Sequence, residues 1–91
     1  MEIHQARYFL ALARTLNFTR AAEASNVTQP ALTKAIQKLE QELGGPLIYR
    51  EFHHTHLTDL GNLVLPMLEQ TVAAADKARL QALEYRQDQV P

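Results

Sequence analysis

The segment Phe18–Leu43 restricts the fold more than any other part of this chain. It opens with Arg20–Ala24, a run of strong helix formers in which small side chains such as Ala22 allow a second helix to approach closely. Thr19 offers a hydroxyl cap in front of that run. Asn26 follows it, and asparagine adopts a positive φ more readily than most other residues. The segment therefore predicts two helices joined by a sharp turn.

The second of these helices is predicted to be amphipathic. Thr28 is a suitable N-cap, and Pro30 falls in the first turn, where its missing N–H leaves no hydrogen bond unmade. Val27 lies between the turn and the helix as an apolar plug. Apolar residues then recur at steps of three and four, at Leu32, Ala35, Ile36, Leu39 and Leu43. The opposite face is polar and consists of Thr33, Lys34, Gln37, Lys38 and Gln41.

Shorter signals on both sides complete a small domain. Apolar residues at helical spacing predict a first helix over His4–Leu16. Gly44–Pro46 ends the amphipathic helix, because glycine favours helix C-termini and proline prevents the helix from resuming. Two β-prone runs, Leu47–Tyr49 and Thr55–Thr58, predict a small hairpin or wing. The expected fold is mainly α, a winged helix-turn-helix domain of three helices and a β-hairpin over residues 1–57.

A long final helix is predicted to run from its cap at Thr58 to about Gln87. Pro66 lies inside it, where a kink or a loose turn is expected. Because so small a domain offers no surface for a narrow apolar stripe of this length, we expect the stripe to meet a second copy of the chain. This dimerisation stripe consists of Leu65, Leu68, Val72, Ala75 and Ala82. Residues 58–87 are thus a predicted linker helix, and residues 88–91 a frayed tail.

Composition and charge restrict the class of function. The 91 residues carry nine Lys and Arg against ten Asp and Glu, whereas a nucleic-acid binder is usually basic. No acidic residue occurs between Asn26 and Lys38, however, so the start of the amphipathic helix could still approach an anionic groove. Cysteine, an apolar run of about 18 residues and a recognisable catalytic constellation are all absent from the sequence. We therefore expect a soluble, cytoplasmic protein that is neither an enzyme nor a membrane partner.

Several motifs resemble a single family, in unbroken order along the chain. They are Arg7-Tyr8-Phe9, Phe18-Thr19-Arg20-Ala21-Ala22, Thr28-Gln29-Pro30-Ala31-Leu32-Thr33, Leu39-Glu40-Gln41-Glu42-Leu43-Gly44, and Leu57-Thr58 with Gly61. Together they resemble the N-terminal domain of LysR-type transcriptional regulators. The resemblance implies sequence-specific binding of double-stranded DNA by a homodimer held by the linker helix, and a tetramer in the full-length protein. It also implies a small-molecule effector bound by a further domain that is absent from this chain, and no cofactor in the fragment itself.

The resemblance also assigns roles to individual residues. The start of the amphipathic helix would contact base edges, a role that suits a Gln amide, a Thr hydroxyl and a Lys ammonium group. These base-contacting residues are Gln29, Pro30, Thr33 and Lys34. The phosphate-contacting residues are Thr19, Arg20, Thr28, Lys38 and Arg50. The wing residues are His53 and His54, and the sequence departs from the family pattern at His53, where arginine is common.

The wing histidines His53, His54 and His56 suggest a DNA affinity that depends on pH. Free imidazoles titrate at about pH 6.5, so the positive charge of the wing, and with it the affinity for DNA, would rise as the pH falls. Duplex binding at about pH 6 and about pH 8, at one salt concentration, tests this hypothesis, and equal affinities would remove it. A competing interpretation is that His54 and His56, which share one face of a strand, bind a metal ion.

Plainer interpretations of the same residues stay open. The long helix could be the functional surface of a helical interaction or dimerisation module that does not bind DNA, and the near-zero net charge favours this alternative. At the surface, Arg50 could simply pair with Glu51 or Asp59, and Arg20 with Glu23. The large apolar residues are expected only to build the core: Phe9, Phe18, Leu32, Ile36 and Leu39.

Overall fold

The structure of the chain, a computed structural model, describes residues 1–51 and 54–89. Along these ranges the elements follow in the order α1 (Ile3–Thr15), α2 (Phe18–Ala24), α3 (Gln29–Leu43), β1 (Ile48–Glu51), β2 (His54–Leu57) and α4 (Asp59–Asp88). The two strands form an antiparallel hairpin, in which Ile48 pairs with Leu57 and Glu51 with His54. The predicted fold class, a mainly α winged helix-turn-helix followed by a long helix, is confirmed.

The core gathers around α1, which packs against α2, α3 and α4. Phe9 and Leu12 of α1 are fully buried, as are Leu32 and Leu39 on the inner face of α3. Leu47, just before β1, is fully buried as well and joins the wing to this cluster. The apolar periodicity of α3 is thus satisfied within the subunit, and its polar face is left on the outside.

The connection between α2 and α3 has the predicted geometry. Asn26 adopts a positive φ of 57°, and the backbone N–H of Val27 donates to the carbonyl of Ala22 over 3.0 Å. Val27 is half-buried and packs against the core, as an apolar plug should. Because Ala22 is small and nearly fully buried, the neighbouring helices can approach α2 closely.

The start of α2 differs from the prediction, which placed the cap at Thr19. Asn17 is the N-cap, and its side-chain oxygen accepts a hydrogen bond from the backbone N–H of Arg20 over 2.9 Å. Leu16 adopts a left-handed conformation that ends α1, so the chain reverses early enough for Phe18 to begin the helix. Thr19 consequently lies in the first turn of α2.

The junction between the wing and α4 is tightly connected. The buried hydroxyl of Thr58 accepts a hydrogen bond from the Gly61 N–H over 2.9 Å and donates one to the Pro46 carbonyl over 2.6 Å. The Thr58 N–H donates to the carbonyl of Leu47 over 3.0 Å. Gly61 is itself buried so close to that carbonyl that a Cβ at this position would overlap its oxygen. The first turn of α4 is therefore held against the chain that enters β1.

The first half of α4 packs on its own domain, and the expectation that its stripe would find no surface there is wrong. Leu68 is 4% exposed and belongs to the core, and Leu65 and Val72 are partly buried against it. Arg7 of α1 donates two hydrogen bonds to Asp76, over 2.6 and 3.3 Å. These bonds hold the pKa of the Asp76 carboxyl below its usual value and raise the pKa of Arg7. The expectation failed because α1 presents apolar side chains toward α4 as well as toward α3.

The second half of α4 projects beyond the domain. Every described residue after Asp76 is exposed, and the molecule is 59 Å long but only 25 and 19 Å across. The helix continues through Pro66 and ends at Asp88, one residue beyond the predicted limit of the linker. None of the helices in the described ranges combines the length and apolar character that a membrane span requires.

Replacing Gly61 with alanine should destabilise the domain, because the overlapping partner of the new Cβ is a backbone oxygen that cannot rotate away. We expect a loss of about 1–3 kcal/mol in the free energy of unfolding, measured by urea denaturation. Asn62→Ala, at the exposed neighbouring position, is the control and should change this free energy by no more than about 0.5 kcal/mol. Equal stability of the Gly61→Ala variant and the original chain would contradict the close approach described above.

Candidate nucleic-acid interface

The outer face of α3 is open to solvent along its first turns. Pro30 and Lys34 are exposed, and Gln29 and Thr33 are half-buried at the edge of the same face. Thr28 caps the helix as predicted, and its hydroxyl oxygen accepts a hydrogen bond from the Ala31 N–H over 3.2 Å. The four residues predicted to contact bases therefore lie together at the start of α3, and the other described residues leave each of them at least partly exposed.

The predicted cations are placed around this face. Lys34 and Lys38 are both exposed and lie one turn apart on α3, so their side chains point to the same side. Arg20 is exposed on α2 and Arg50 on β1. Among the ion pairs within residues 1–51 and 54–89, none involves these four cations, so the suggested Arg20–Glu23 pair is not formed.

Two acidic residues at the other end of α3 are already engaged. Glu40 accepts a hydrogen bond from the backbone N–H of Leu47 over 2.7 Å. Glu42 lies 2.9 Å from the amino group of Met1. Because both carboxylates are held at the C-terminal end of the helix, the acid-free N-terminal end stays favourable to an anionic partner despite the net charge of −1.

A groove of about 360 Å³ separates the wing from the starts of α2 and α3. Its lining brings together three predicted contact residues, Thr19, Gln29 and Arg50, and also the wing residue His54. The remaining predicted contact residues do not line this groove: Arg20, Pro30, Lys34 and Lys38 are exposed on α2 and α3, Thr28 caps α3, and Thr33 is half-buried. The groove thus connects the residues predicted to contact phosphates with those predicted to contact bases.

Arg50 has a partner that the sequence did not suggest. Its guanidinium carbon lies 3.8 Å from the centroid of the Phe18 ring, in a cation–π contact, and neither Glu51 nor Asp59 is paired with it. Phe18 is half-buried, so it packs against the core as expected and also supports Arg50. No local pattern relates these two residues, because they are distant in the sequence and meet only in the folded chain.

Asn17 is a further residue of the site that the sequence analysis does not name, although the sequence carries a signal for it. Asparagine is among the most favoured N-caps, and Asn17 stands three residues before the N–H that it accepts from. Through this bond Asn17 sets the position of Phe18 and Thr19 in the first turn of α2. It also lines the groove beside them.

The wing places two of its histidines side by side. The ring centroids of His54 and His56 are 5.2 Å apart, and Nε2 of His56 lies 3.6 Å from a carboxylate oxygen of Glu51. His53 lies outside the described residues, so its place in the wing stays a prediction. Within the described ranges, no group of three His, Cys, Asp or Glu side chains is arranged to hold a metal ion.

An exposed, polar recognition helix supported by a wing defines the winged helix-turn-helix class of DNA-binding domains. The family model described as bacterial regulatory helix-turn-helix protein, lysR family, matches residues 3–62. The chain belongs to this LysR family, and the match includes α1, α2, α3, the wing and the start of α4. The family and the DNA-binding class inferred from the sequence motifs are confirmed.

Relatives of the chain agree with this assignment. The transcriptional regulator IlvR of Caulobacter vibrioides is 49% identical over 76 residues, which cover 84% of this chain and 26% of IlvR. Vibrio fischeri DarR, solved in complex with DNA, is 33% identical in sequence and superposes with a TM-score of 0.88. The match covers 96% of this chain and 30% of the DarR chain. The CbnR chain of the CbnR_DBD–DNA complex is 30% identical in sequence and superposes with a TM-score of 0.85. The match covers 94% of this chain and 99% of the CbnR chain. The chain thus spans less than a third of the length of IlvR and DarR.

Proposed function

We propose that this chain binds a specific double-stranded DNA sequence as a homodimer and is the DNA-binding part of a LysR-type transcriptional regulator. The observation that carries the proposal is the uncovered, acid-free polar face at the start of α3, held on a fully packed core. The likeness to two proteins solved with DNA supports it. In the whole protein we propose a separate effector-binding domain, a tetrameric assembly and a non-catalytic role at the chromosome in the cytoplasm.

In this proposal α3 enters a major groove of the duplex. The Gln29 amide can make paired hydrogen bonds to an adenine, and the Lys34 ammonium group can reach guanine O6 or N7. Thr33 offers both a hydroxyl and a methyl group to a base edge. The cations around this face fix the orientation of the helix by contacting phosphates, which carry no sequence information directly. Residues 1–57 then form the DNA-binding domain, and residues 58–87 form the linker that joins two such domains.

Lys34→Glu tests DNA binding directly. The substitution places a carboxylate opposite the bases and phosphates, so we expect the affinity for a duplex selected from random sequences to fall at least about tenfold. Lys77→Glu makes the same charge change on the projecting half of α4 and should alter the affinity by no more than about threefold. Fluorescence anisotropy at several salt concentrations provides the measurement. Unchanged binding by the Lys34→Glu variant would favour the alternative of an interaction module without DNA binding.

The dimer needs a surface that the subunit itself does not cover. Leu65, Leu68 and Val72, predicted for this role, are occupied by the core of their own subunit. The opposite side of α4 carries a second series at steps of three and four residues, which we call the outer stripe. The outer stripe consists of Leu63, Met67, Thr71, Ala74, Ala78, Gln81 and Tyr85. It contains no charged residue.

We propose that the outer stripe of one subunit packs against that of a second copy. Leu63 is 71% exposed, and Met67 and Tyr85 are each 59% exposed, which is unfavourable for apolar side chains in water. A two-fold dimer would bury them without desolvating any charge of the outer stripe. Ala75 and Ala82, the remaining predicted dimerisation residues, follow Ala74 and Gln81 directly and lie at the edge of this surface.

Two adjacent alanines give a matched test of this dimer interface. Ala74 belongs to the outer stripe and Ala73 does not, and both are exposed on α4. Ala74→Glu should raise the dimer dissociation constant at least about tenfold, because it would bury an unpaired charge. Ala73→Glu should leave the constant unchanged within about threefold. Sedimentation velocity measures both, and an equal effect of the two substitutions would contradict the proposed interface.

A further inference from the structure

We propose that Phe18 is a positioning residue for DNA binding, which holds the Arg50 guanidinium in the groove between the wing and α2 so that it can bind a phosphate of the duplex. This inference rests on the proposed function. Phe18 thereby has a role beyond the core, and its contact with Arg50 lets the wing and the helix-turn-helix act on the same phosphate.

The contact joins two parts of the domain that are held in different ways. Phe18 is the first residue of α2, anchored by the Asn17 cap beside it and by its own packing against the core. Arg50 is an exposed residue of β1, in the part of the hairpin away from the junction with α4. The anchored ring of Phe18 therefore supports the exposed guanidinium of Arg50, whose central carbon lies 3.8 Å from the ring centroid.

Such support matters because a free arginine side chain has many rotamers. Fixing it on a phosphate costs conformational entropy, and a side chain already held in place loses less on binding. The aromatic ring attracts the cation through its π face and uses none of the N–H groups as hydrogen-bond donors. The edge of the guanidinium thus stays available for a two-point contact with phosphate oxygens.

The surroundings of Arg50 agree with this role. Within the described ranges Arg50 takes part in no ion pair, although Glu51 is its neighbour in the chain and instead lies near His56. The groove in which it lies is also lined by Thr19, whose hydroxyl can donate to the same phosphate, and by Gln29 at the start of α3. A phosphate bound there would place the backbone of the duplex beside the predicted base-contacting residues.

The experiment is a double-mutant cycle on DNA affinity with Phe18→Leu and Arg50→Gln. Phe18→Leu keeps an apolar side chain for the core but removes the ring. We expect it to weaken binding about two- to fivefold for each half-site, hence about four- to twenty-fivefold for a dimer with two half-sites. In the Arg50→Gln background the same change should have less than about a twofold effect, because Phe18 acts through Arg50. Phe18→Tyr, which keeps the aromatic face, should restore binding to within about twofold of the original chain.

Thermal unfolding of every variant accompanies the cycle, and Phe18→Met replaces Phe18→Leu if the latter is unfolded at the temperature of the binding assay. An equal loss in both backgrounds, or no loss at all, would overturn the inference, since Phe18 would then act only through the core. Failure of the original chain to bind any duplex would instead overturn the proposed function, and the inference with it. The two failures are therefore distinguishable.

Discussion

Burial of the inner face of α3 against α1 is the interaction on which the rest of the structure depends. Leu32 and Leu39 are fully buried beside Phe9 and Leu12, and a helix with its apolar side held in this way has no freedom to rotate. With 3.6 residues per turn, the opposite side must face outward. The polar face at the start of α3 is exposed for this reason, and it needs no partner within the subunit.

The same use of two helix faces appears in α4. Its inner side, with Leu68 at the centre, completes the core, and the hydrogen bonds of Thr58 and the close approach of Gly61 hold its first turn in place. Its outer stripe is uncharged, and the described residues leave all of it exposed except the half-buried Thr71. The first half of α4 can therefore pack against its own winged helix-turn-helix domain while the outer stripe remains available to a second copy. In the proposed dimer, α4 alone would then set the relative orientation of the two domains.

Charge acts through position in this protein, since the net charge of −1 alone disfavours an anionic partner. Glu40 and Glu42 are engaged at the C-terminal end of α3, whereas Lys34 and Lys38, along its outer face, form no ion pair with any of the described residues. Arg50 is supported by an aromatic ring, and no carboxylate within residues 1–51 and 54–89 forms an ion pair with it. An overall charge balance conceals such an arrangement, and only the placement of each group reveals it.

The sequence by itself determined the features that depend on neighbouring residues. The positive φ at Asn26, the caps at Thr28 and Thr58 and the apolar period of α3 all follow from interactions within a few positions of the chain. Tertiary structure alone decided which surface each stripe meets, because periodicity shows that a face is buried but not what buries it. The period of the stripe containing Leu68 fits a second subunit as well as it fits the domain's own core. It also decided the contact of Phe18 with Arg50, since two residues far apart in the sequence become neighbours only when the helices and the wing have packed.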